Sequence, residues 1–301
     1  MSCNLKIIIA RGGAGLLLAL LIAINVAGQS AYRRELKNWR EEQERELKAD
    51  DGWLTVAGLY WLKEGPNRVG TAADNDMILP AGSAPGKTAT FELTGGVVTL
   101  RVAEGAGVTV AGERVRQLVM KPDTDPPPTI VKINDLTMLV IKRGERYGIR
   151  LKDKNSRLRR EFKGMRWFPA EASYRVTARF VPHAQPTELA VPNVLGDVIK
   201  MESSGTLFFT LNGREYSLEP VSEEGQLFII FRDLTSGKQS YPAGRFLYAD
   251  APVGGQVTLD FNKAVNPPCA FTPYATCPLP PKQNRLRVAI RAGELTHHAT
   301  P

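Results

Sequence analysis

The chain has 301 residues, of which 43% are hydrophobic and 23% are charged, and its formal net charge is +8. These values are ordinary for a globular protein, so a sizeable core is possible. The Lys and Arg residues are spread along the sequence without a stripe of interleaved aromatic residues, so no nucleic-acid partner is expected.

The N-terminal segment has the composition of a secretory signal peptide. Lys6 and Arg11 make its start basic, residues 12–27 carry no charge, and Val26-Ala27-Gly28 supplies small residues for cleavage. We therefore predict a signal peptide over residues 1–28 and an exported protein, either periplasmic or extracellular. The alternative is an uncleaved anchor, because signal peptides and anchors differ mainly in length and flanking residues. That segment is the single membrane contact we expect.

Residues 29–50 are predicted to form one helix behind the cleavage site. Ser30 is a suitable N-cap, and Leu36, Trp39 and Leu47 recur at helical spacing to form a narrow apolar stripe. The helix either packs on the domain that follows it or serves as a stalk.

From residue 51 to residue 295 the helical period gives way to short alternating runs separated by Gly, Pro, Asn and Asp. Within 206–211, apolar residues alternate as in a strand with one buried face. Asn212-Gly213 follows and predicts a type I′ hairpin turn. Many such runs predict a mainly β fold, either an antiparallel β-sandwich or a partly open barrel, as a single domain over 51–295. Residues 296–301 form a C-terminal tail.

Two of the three cysteines lie close together in the sequence. Cys3 falls within the predicted signal peptide, whereas Cys269 and Cys277 remain in the mature chain. In an oxidising compartment two cysteines at this spacing are expected to pair, so we predict a disulfide bond between them.

Histidine is nearly absent, with only His183, His297 and His298 in the chain. A catalytic triad would have to use His183, and a His-ligated zinc site is not expected. The sequence contains no nucleotide-binding loop and no other cofactor motif. We therefore predict neither a metal nor a cofactor.

Several blocks of the sequence resemble an uncharacterised bacterial family. They are DGWLTVAGLYWL at 51–62, YGIRLKD at 147–153, FRDLTSGK at 231–238, LDFNKA at 259–264, NPPCAF at 266–271 and CPLPP at 277–281. These blocks are similar to those of the family named domain of unknown function 1684, and they extend over most of the chain after the signal peptide. The resemblance implies an often exported, one-domain protein. It implies no mechanism, because the family has no assigned activity.

Polar and charged residues concentrate between residues 232 and 284. Two arginines there could clamp an anionic group in bidentate fashion, between tyrosine walls. The predicted ligand-binding residues are Arg232, Tyr241, Arg245, Asn262, Asn266, Tyr274 and Asn284. The structural alternative pairs one of the arginines with Asp233 or Asp260 and uses the asparagines to brace loops.

Two further sets of residues were considered for chemistry. Asp233 and Asp260 could act as acid and base, with Ser236 as a third catalytic candidate, if their environments separate the pKa values. Arg150 and Asp153, with the basic residues of the run 157–160, form a second cluster, which we interpret as a solvated turn.

Three functions are therefore compatible with the sequence. The first is an exported module that binds a small, anionic ligand on a β scaffold. The second is a hydrolase that depends on carboxylates, and the third is a non-catalytic envelope or interaction protein that uses the helix at 29–50 as a stalk.

Overall fold

The computed structural model describes residues 8–223 and 225–296, and for residues 8–27 only the backbone. Residues 1–7 of the predicted signal peptide and residues 297–301 of the predicted tail therefore lie outside the described residues. Among residues with described side chains, no helix carries a stretch long and apolar enough to cross a membrane.

The first eleven strands form a β-sandwich. They are β1 (Val56–Trp61), β2 (Gly65–Gly70), β3 (Met77–Ile78), β4 (Ala89–Thr94), β5 (Val97–Val102), β6 (Thr109–Val110), β7 (Glu113–Arg114), β8 (Gln117–Met120), β9 (Val131–Ile133), β10 (Leu136–Arg143) and β11 (Arg146–Asp153). One sheet has the order β1-β11-β10-β9-β6-β7, and the other has the order β3-β2-β4-β5-β8. Phe91 and Leu100 from the second sheet share one buried cluster with Met138 and Ile149 from the first.

The remaining strands form a second pair of sheets. They are β12 (Arg175–Pro192), β13 (Val198–Leu211), β14 (Arg214–Leu218), β15 (Val221–Glu223), β16 (Gln226–Phe231), β17 (Arg245–Ala249) and β18 (Gln256–Asp260). Their orders are β14-β13-β12-β18 and β15-β16-β17. Leu207 and Leu259 from the larger sheet share a buried cluster with Ile229 and Leu247 from the smaller one.

The predicted hairpin between β13 and β14 is confirmed. Asn212 has a φ of 52° and Gly213 a φ of 74°, the two positive values that a type I′ turn requires. Leu207, Phe209 and Leu211 are buried, whereas Phe208 and Thr210 are not. The alternation in the sequence therefore marks the face of β13 that lies on the core.

The two halves of the β structure meet along the irregular segment that follows β18. The Thr272 hydroxyl donates a hydrogen bond to the carbonyl oxygen of Val56 over 3.0 Å. The Arg143 Nε donates to the hydroxyl of Thr276 over 2.9 Å. Segment 261–284 of the second half thus lies against strands β1 and β10 of the first.

Helix α1 (Ile8–Lys48) precedes the strands and packs on the second half of the β structure. The Tyr32 hydroxyl donates to Asp260 over 2.9 Å, and Glu35 forms an ion pair of 2.8 Å with Lys263. Trp39 meets the edge of Trp167, with ring centroids 5.7 Å apart. The helix is therefore docked along the part that corresponds to the predicted helix at 29–50.

The prediction of a mainly β, sandwich-like fold with one N-terminal helix is confirmed. The helix differs at its start, because it includes residues 8–28 as well, and it ends at Lys48 within the predicted segment. The uncharged run before residue 28 is rich in Leu, Ile and Ala, which favour helix, so Ser30 is not its N-cap. The single-domain boundary at 51–295 stays a prediction.

Candidate functional site

Arg245 and Asp233 form a buried ion pair in the second half of the chain. The Arg245 Nη2 lies 2.6 Å from Asp233 Oδ2, and the two side chains are 1% and 0% exposed. Arg245 also donates to the carbonyl oxygens of Ile290 and Ala292. Burial lowers the Arg245 pKa, and the charge of Asp233 opposes that shift. The arginine is thus enclosed by protein groups and does not reach solvent.

Asp260 and Asn262 brace the contact between α1 and the β structure. Asp260 accepts hydrogen bonds from the Tyr32 hydroxyl and from the backbone and side-chain nitrogens of Asn262. The Asn262 side chain in turn bonds both backbone groups of Glu171, at 2.9 and 3.1 Å. These two residues therefore hold a turn and the helix in place.

Asn284 bonds backbone groups through its side chain, whereas Arg232 does so through its own backbone. The Asn284 amide is 1% exposed and bonds both backbone groups of Glu219 and the carbonyl oxygen of Ile230. The Arg232 side chain is exposed, while its backbone pairs with Asn284 and Leu286. The asparagine braces a loop, as the structural alternative expects.

The three catalytic candidates do not form a site with a free general base. Asp233 Oδ2 holds Arg245, and its Oδ1 accepts the backbone N–H of Thr235 over 2.6 Å. Asp260 is used by Tyr32 and Asn262, as described above. The Ser236 hydroxyl accepts a hydrogen bond from the backbone N–H of Asp233 over 3.3 Å. Both carboxylates are thus occupied by structural partners.

Glu294 is a buried acid that the sequence interpretation did not single out. It is 0% exposed, and its Oε2 accepts the backbone N–H of Asn266 over 2.7 Å. Its Oε1 has no hydrogen-bond partner within the described part of the chain, and the same holds for Asn266 Oδ1. Burial raises the pKa of Glu294 to about 8.

The predicted Cys269–Cys277 disulfide is not formed in the structure, in which both cysteines are free thiols. The two residues are nevertheless adjacent, because the backbone N–H of Cys269 donates to Cys277 Sγ over 3.3 Å. The proximity of the two cysteines was predicted correctly from their spacing. Formation of the bond also depends on an oxidant, which the amino-acid sequence does not specify. Tyr241, predicted as a ligand wall, donates its hydroxyl to the Cys269 carbonyl oxygen over 2.9 Å.

Arg150 on β11 is the other arginine with little access to solvent. It is 7% exposed, and its Nε and Nη2 have no hydrogen-bond partner among the described residues. Its guanidinium carbon lies 5.0 Å from the ring centroid of Trp53. These two nitrogens form one edge of the guanidinium, the edge that takes a carboxylate in bidentate fashion.

A second arginine adds positive charge beside Arg150. Arg143 pairs with Asp123 over 2.8 Å, and Asp123 also accepts the backbone N–H of Lys142. Burial and the charge of Arg143 lower the pKa of Arg150 to about 10, against the opposing effects of Asp123 and Cys277. Asp123 is therefore engaged by Arg143, and these two residues and Arg150 together carry one net positive charge.

The interpretation of Arg150 as part of a solvated turn is wrong. Residues 148–151 are all buried, because β11 is a central strand covered on both of its faces. The basic run at 157–160 does lie at the surface, in helix α2 (Arg157–Glu161), where Arg157 pairs with Glu161. Alternation along the strand places Arg150 on the face opposite Ile149 and Leu151, so no local signal in the sequence indicates that it is buried.

Within the described residues there is no group of three or more His, Cys, Asp or Glu side chains that could hold a metal ion. His183 lies between two hydroxyls, with Thr206 Oγ1 at 3.3 Å and Thr187 Oγ1 at 3.0 Å from its ring nitrogens. It therefore bridges β12 and β13.

Residues 160–295 match the family model described as "Protein of unknown function (DUF1684)". An uncharacterised protein of Haloarcula marismortui, solved by solution NMR, is 36% identical and covers 46% of this chain and 79% of its own, with a TM-score of 0.39. A structure from a study of phosphothreonine-dependent FHA domain interactions is 16% identical and covers 31% of this chain and 92% of its own, with a TM-score of 0.23. No curated protein matches the chain.

Proposed function

This chain belongs to the DUF1684 family, and from that premise we propose that it is an exported protein that binds a small carboxylate-bearing ligand at Arg150. The observation that carries the proposal is the pair of unpartnered nitrogens, Nε and Nη2, on a side chain that is 7% exposed. A buried cation without an acceptor is costly. An oxyanion supplied by a ligand would remove that cost.

The surroundings of Arg150 favour a planar anion of small size. Trp53 lies against the guanidinium, and Arg143 adds a second positive charge that Asp123 partly offsets. Thr276 and Tyr274 belong to the loop that lies over β10 and β1, and Thr276 is held there by Arg143. Two parallel N–H groups on one guanidinium edge match the two oxygens of a carboxylate.

The test is ligand-dependent stability of the reduced, full-length protein in sodium propionate. At a concentration about 100 times the Kd, a bound ligand stabilises the native state by about 2.7 kcal/mol. We expect this gain for the unsubstituted protein and no gain for Arg150→Met. The exposed Arg101→Met variant is the matched control and should retain the gain, because Arg101 pairs with Glu92 at the surface.

The unliganded Arg150→Met variant separates binding from architecture. Replacement of an unpaired buried cation by an apolar side chain of similar length should leave stability unchanged or raise it. A loss of 2 kcal/mol or more, on the order of a core truncation, would instead make Arg150 a structural residue. Equal stabilisation of the unsubstituted protein and of Arg150→Met by propionate would contradict the proposed site.

Export is the second part of the proposal and rests on the signal-like composition of residues 1–28. Cleavage after Gly28 would leave Tyr32, Glu35 and the rest of the docked face of α1 in the mature chain. We expect intact-mass measurement of the protein from an exporting host to give a chain that begins at Gln29, in the soluble periplasmic or extracellular fraction. Recovery of the chain from Met1 in the membrane fraction would show a retained anchor.

A further inference from the structure

Cys269 and Cys277 are arranged as an accessible thiol with a second thiol behind it. Cys269 is half-buried, whereas Cys277 is 5% exposed and packs in an apolar cluster with Leu189 and Phe246. The backbone N–H of Cys269 donates to Cys277 Sγ over 3.3 Å, so the two thiols are adjacent. A reagent from solvent would therefore meet Cys269 first.

The surroundings of the two thiols shift their pKa values in opposite directions. A hydrogen bond from the Cys277 thiol lowers the pKa of Cys269 to about 7. The same hydrogen bond and burial raise the pKa of Cys277. Since the thiolate is the nucleophile in thiol–disulfide exchange, the accessible sulfur is also the one that ionises near neutral pH.

The dithiol lies beside the Arg150 site. Trp53, which contacts the guanidinium of Arg150, packs against the apolar cluster that contains Cys277, and Cys269 packs against the same cluster. Arg150 interacts electrostatically with Cys277, and Thr276, the residue before Cys277, is bound by Arg143. A ligand held by its carboxylate at Arg150 would therefore lie in the neighbourhood of the two sulfurs.

We propose that Cys269 and Cys277 are a redox-active dithiol that exchanges with small disulfides bearing a carboxylate, a substrate class that rests on the proposed binding function. The Cys269 thiolate attacks one sulfur of the substrate R–S–S–R, and the S–S bond breaks with release of RS⁻, which takes up the Cys277 proton. The Cys277 thiolate then attacks Cys269 Sγ and releases the second RS⁻, which is protonated by solvent. The protein loses two electrons and becomes the disulfide, and the substrate is reduced to two thiols.

The direction of the exchange follows from the compartment. In an oxidising compartment the disulfide form predominates and the same two steps run in reverse, so that two small thiols are oxidised. Stabilisation of the Cys269 thiolate favours the reduced protein and so makes the disulfide form the better oxidant.

The experiment follows the reduced protein with two probes, 3,3′-dithiodipropionate and the neutral 2-hydroxyethyl disulfide. In Cys277→Ser we expect a trapped mixed disulfide on Cys269 by mass spectrometry, and in Cys269→Ser we expect none. After normalisation to a free small thiol, the unsubstituted protein should prefer the dicarboxylate by about tenfold, as a charged hydrogen-bonding contact allows. Arg150→Met should abolish the preference, whereas exposed Arg160→Met should change neither the preference nor the rate with the neutral probe.

The outcomes separate this inference from the proposed function. A failure of Cys269 to form the adduct, or equal adducts on both cysteines, would overturn the dithiol, while propionate binding by the Cys269→Ser/Cys277→Ser protein would leave the Arg150 site standing. An adduct on Cys269 with no preference for the dicarboxylate would overturn the substrate class. If the unsubstituted protein does not bind propionate but exchanges normally with the neutral probe, the binding function is overturned and the dithiol is retained.

Discussion

Replacement of Asp233 by Ala should lower the free energy of unfolding by about 3–5 kcal/mol. The substitution leaves the Arg245 guanidinium, 1% exposed, without its carboxylate partner at 2.6 Å. It also removes the acceptor of the Thr235 backbone N–H. Because a domain is typically stable by only about 5–15 kcal/mol, the loss is a large share of the total. Urea denaturation followed by circular dichroism measures it from the midpoint and slope.

Two matched proteins test the cause of this loss. Asp76→Ala removes an exposed carboxylate that pairs with Arg68 at 3.2 Å, and it should cost about 1 kcal/mol or less. The double variant Asp233→Ala/Arg245→Met removes both charges, so it should recover part of the stability of the single variant. A cost below about 1 kcal/mol for Asp233→Ala would refute the importance of the ion pair.

The second large effect is a pH dependence that originates at Glu294. Its pKa is about 8 in the native protein and 4.5 as the reference value. Between these two values the unfolded chain ionises Glu294 and the native protein keeps it protonated, so native stability is greatest below pH 4.5 and falls as pH rises towards 8. The difference, 8 − 4.5 = 3.5 pKa units, corresponds to a loss on the order of 5 kcal/mol from this residue.

Glu294→Gln should remove this contribution, because the amide cannot ionise and its oxygen can still accept the Asn266 backbone N–H. We expect the difference in unfolding free energy between Glu294→Gln and the unsubstituted protein to shift in favour of the variant by a few kcal/mol between pH 5 and pH 8.5. Urea denaturation at several pH values measures it. The exposed Glu104→Gln is the control and should show no such shift. Parallel pH profiles for Glu294→Gln and the unsubstituted protein would mean that Glu294 is charged in the native state.

Local patterns in the sequence predicted the strands that have one face on the core and one in solvent. β13 and its hairpin turn are examples, because alternation and Asn212-Gly213 act within a few residues. β1 and β2 carry no such pattern, since Gly58, Gly65 and Pro66 interrupt the alternation there. Strand β12 continues through an irregularity between Pro182 and Thr187. A bulge of this kind resembles a loop in the sequence.

Some features of the candidate site were also predictable from the sequence, and others required the fold. The concentration of charge at 232–284 was evident in the sequence, and pairing of Arg245 with Asp233 was one of the alternatives it left open. Only the fold selected Asp233 over Asp260 as the partner, because Asp260 is engaged by Tyr32, 228 residues away in the chain. Arg150 could not be recognised as buried from its neighbours alone.

The amino-acid sequence by itself determined the mainly β class, the helix before the strands, the β13–β14 turn and the proximity of the two cysteines, because each of these depends on residues close together in the chain. The tertiary structure alone decided which carboxylate Arg245 meets, how deeply Glu294 is buried and that Arg150 is buried beside Trp53. Burial and charge pairing at these positions arise from contacts such as that between Thr272 and Val56, which lie 216 residues apart. The free energy of such a contact depends on how the two halves of the β structure pack, and no local pattern encodes that packing.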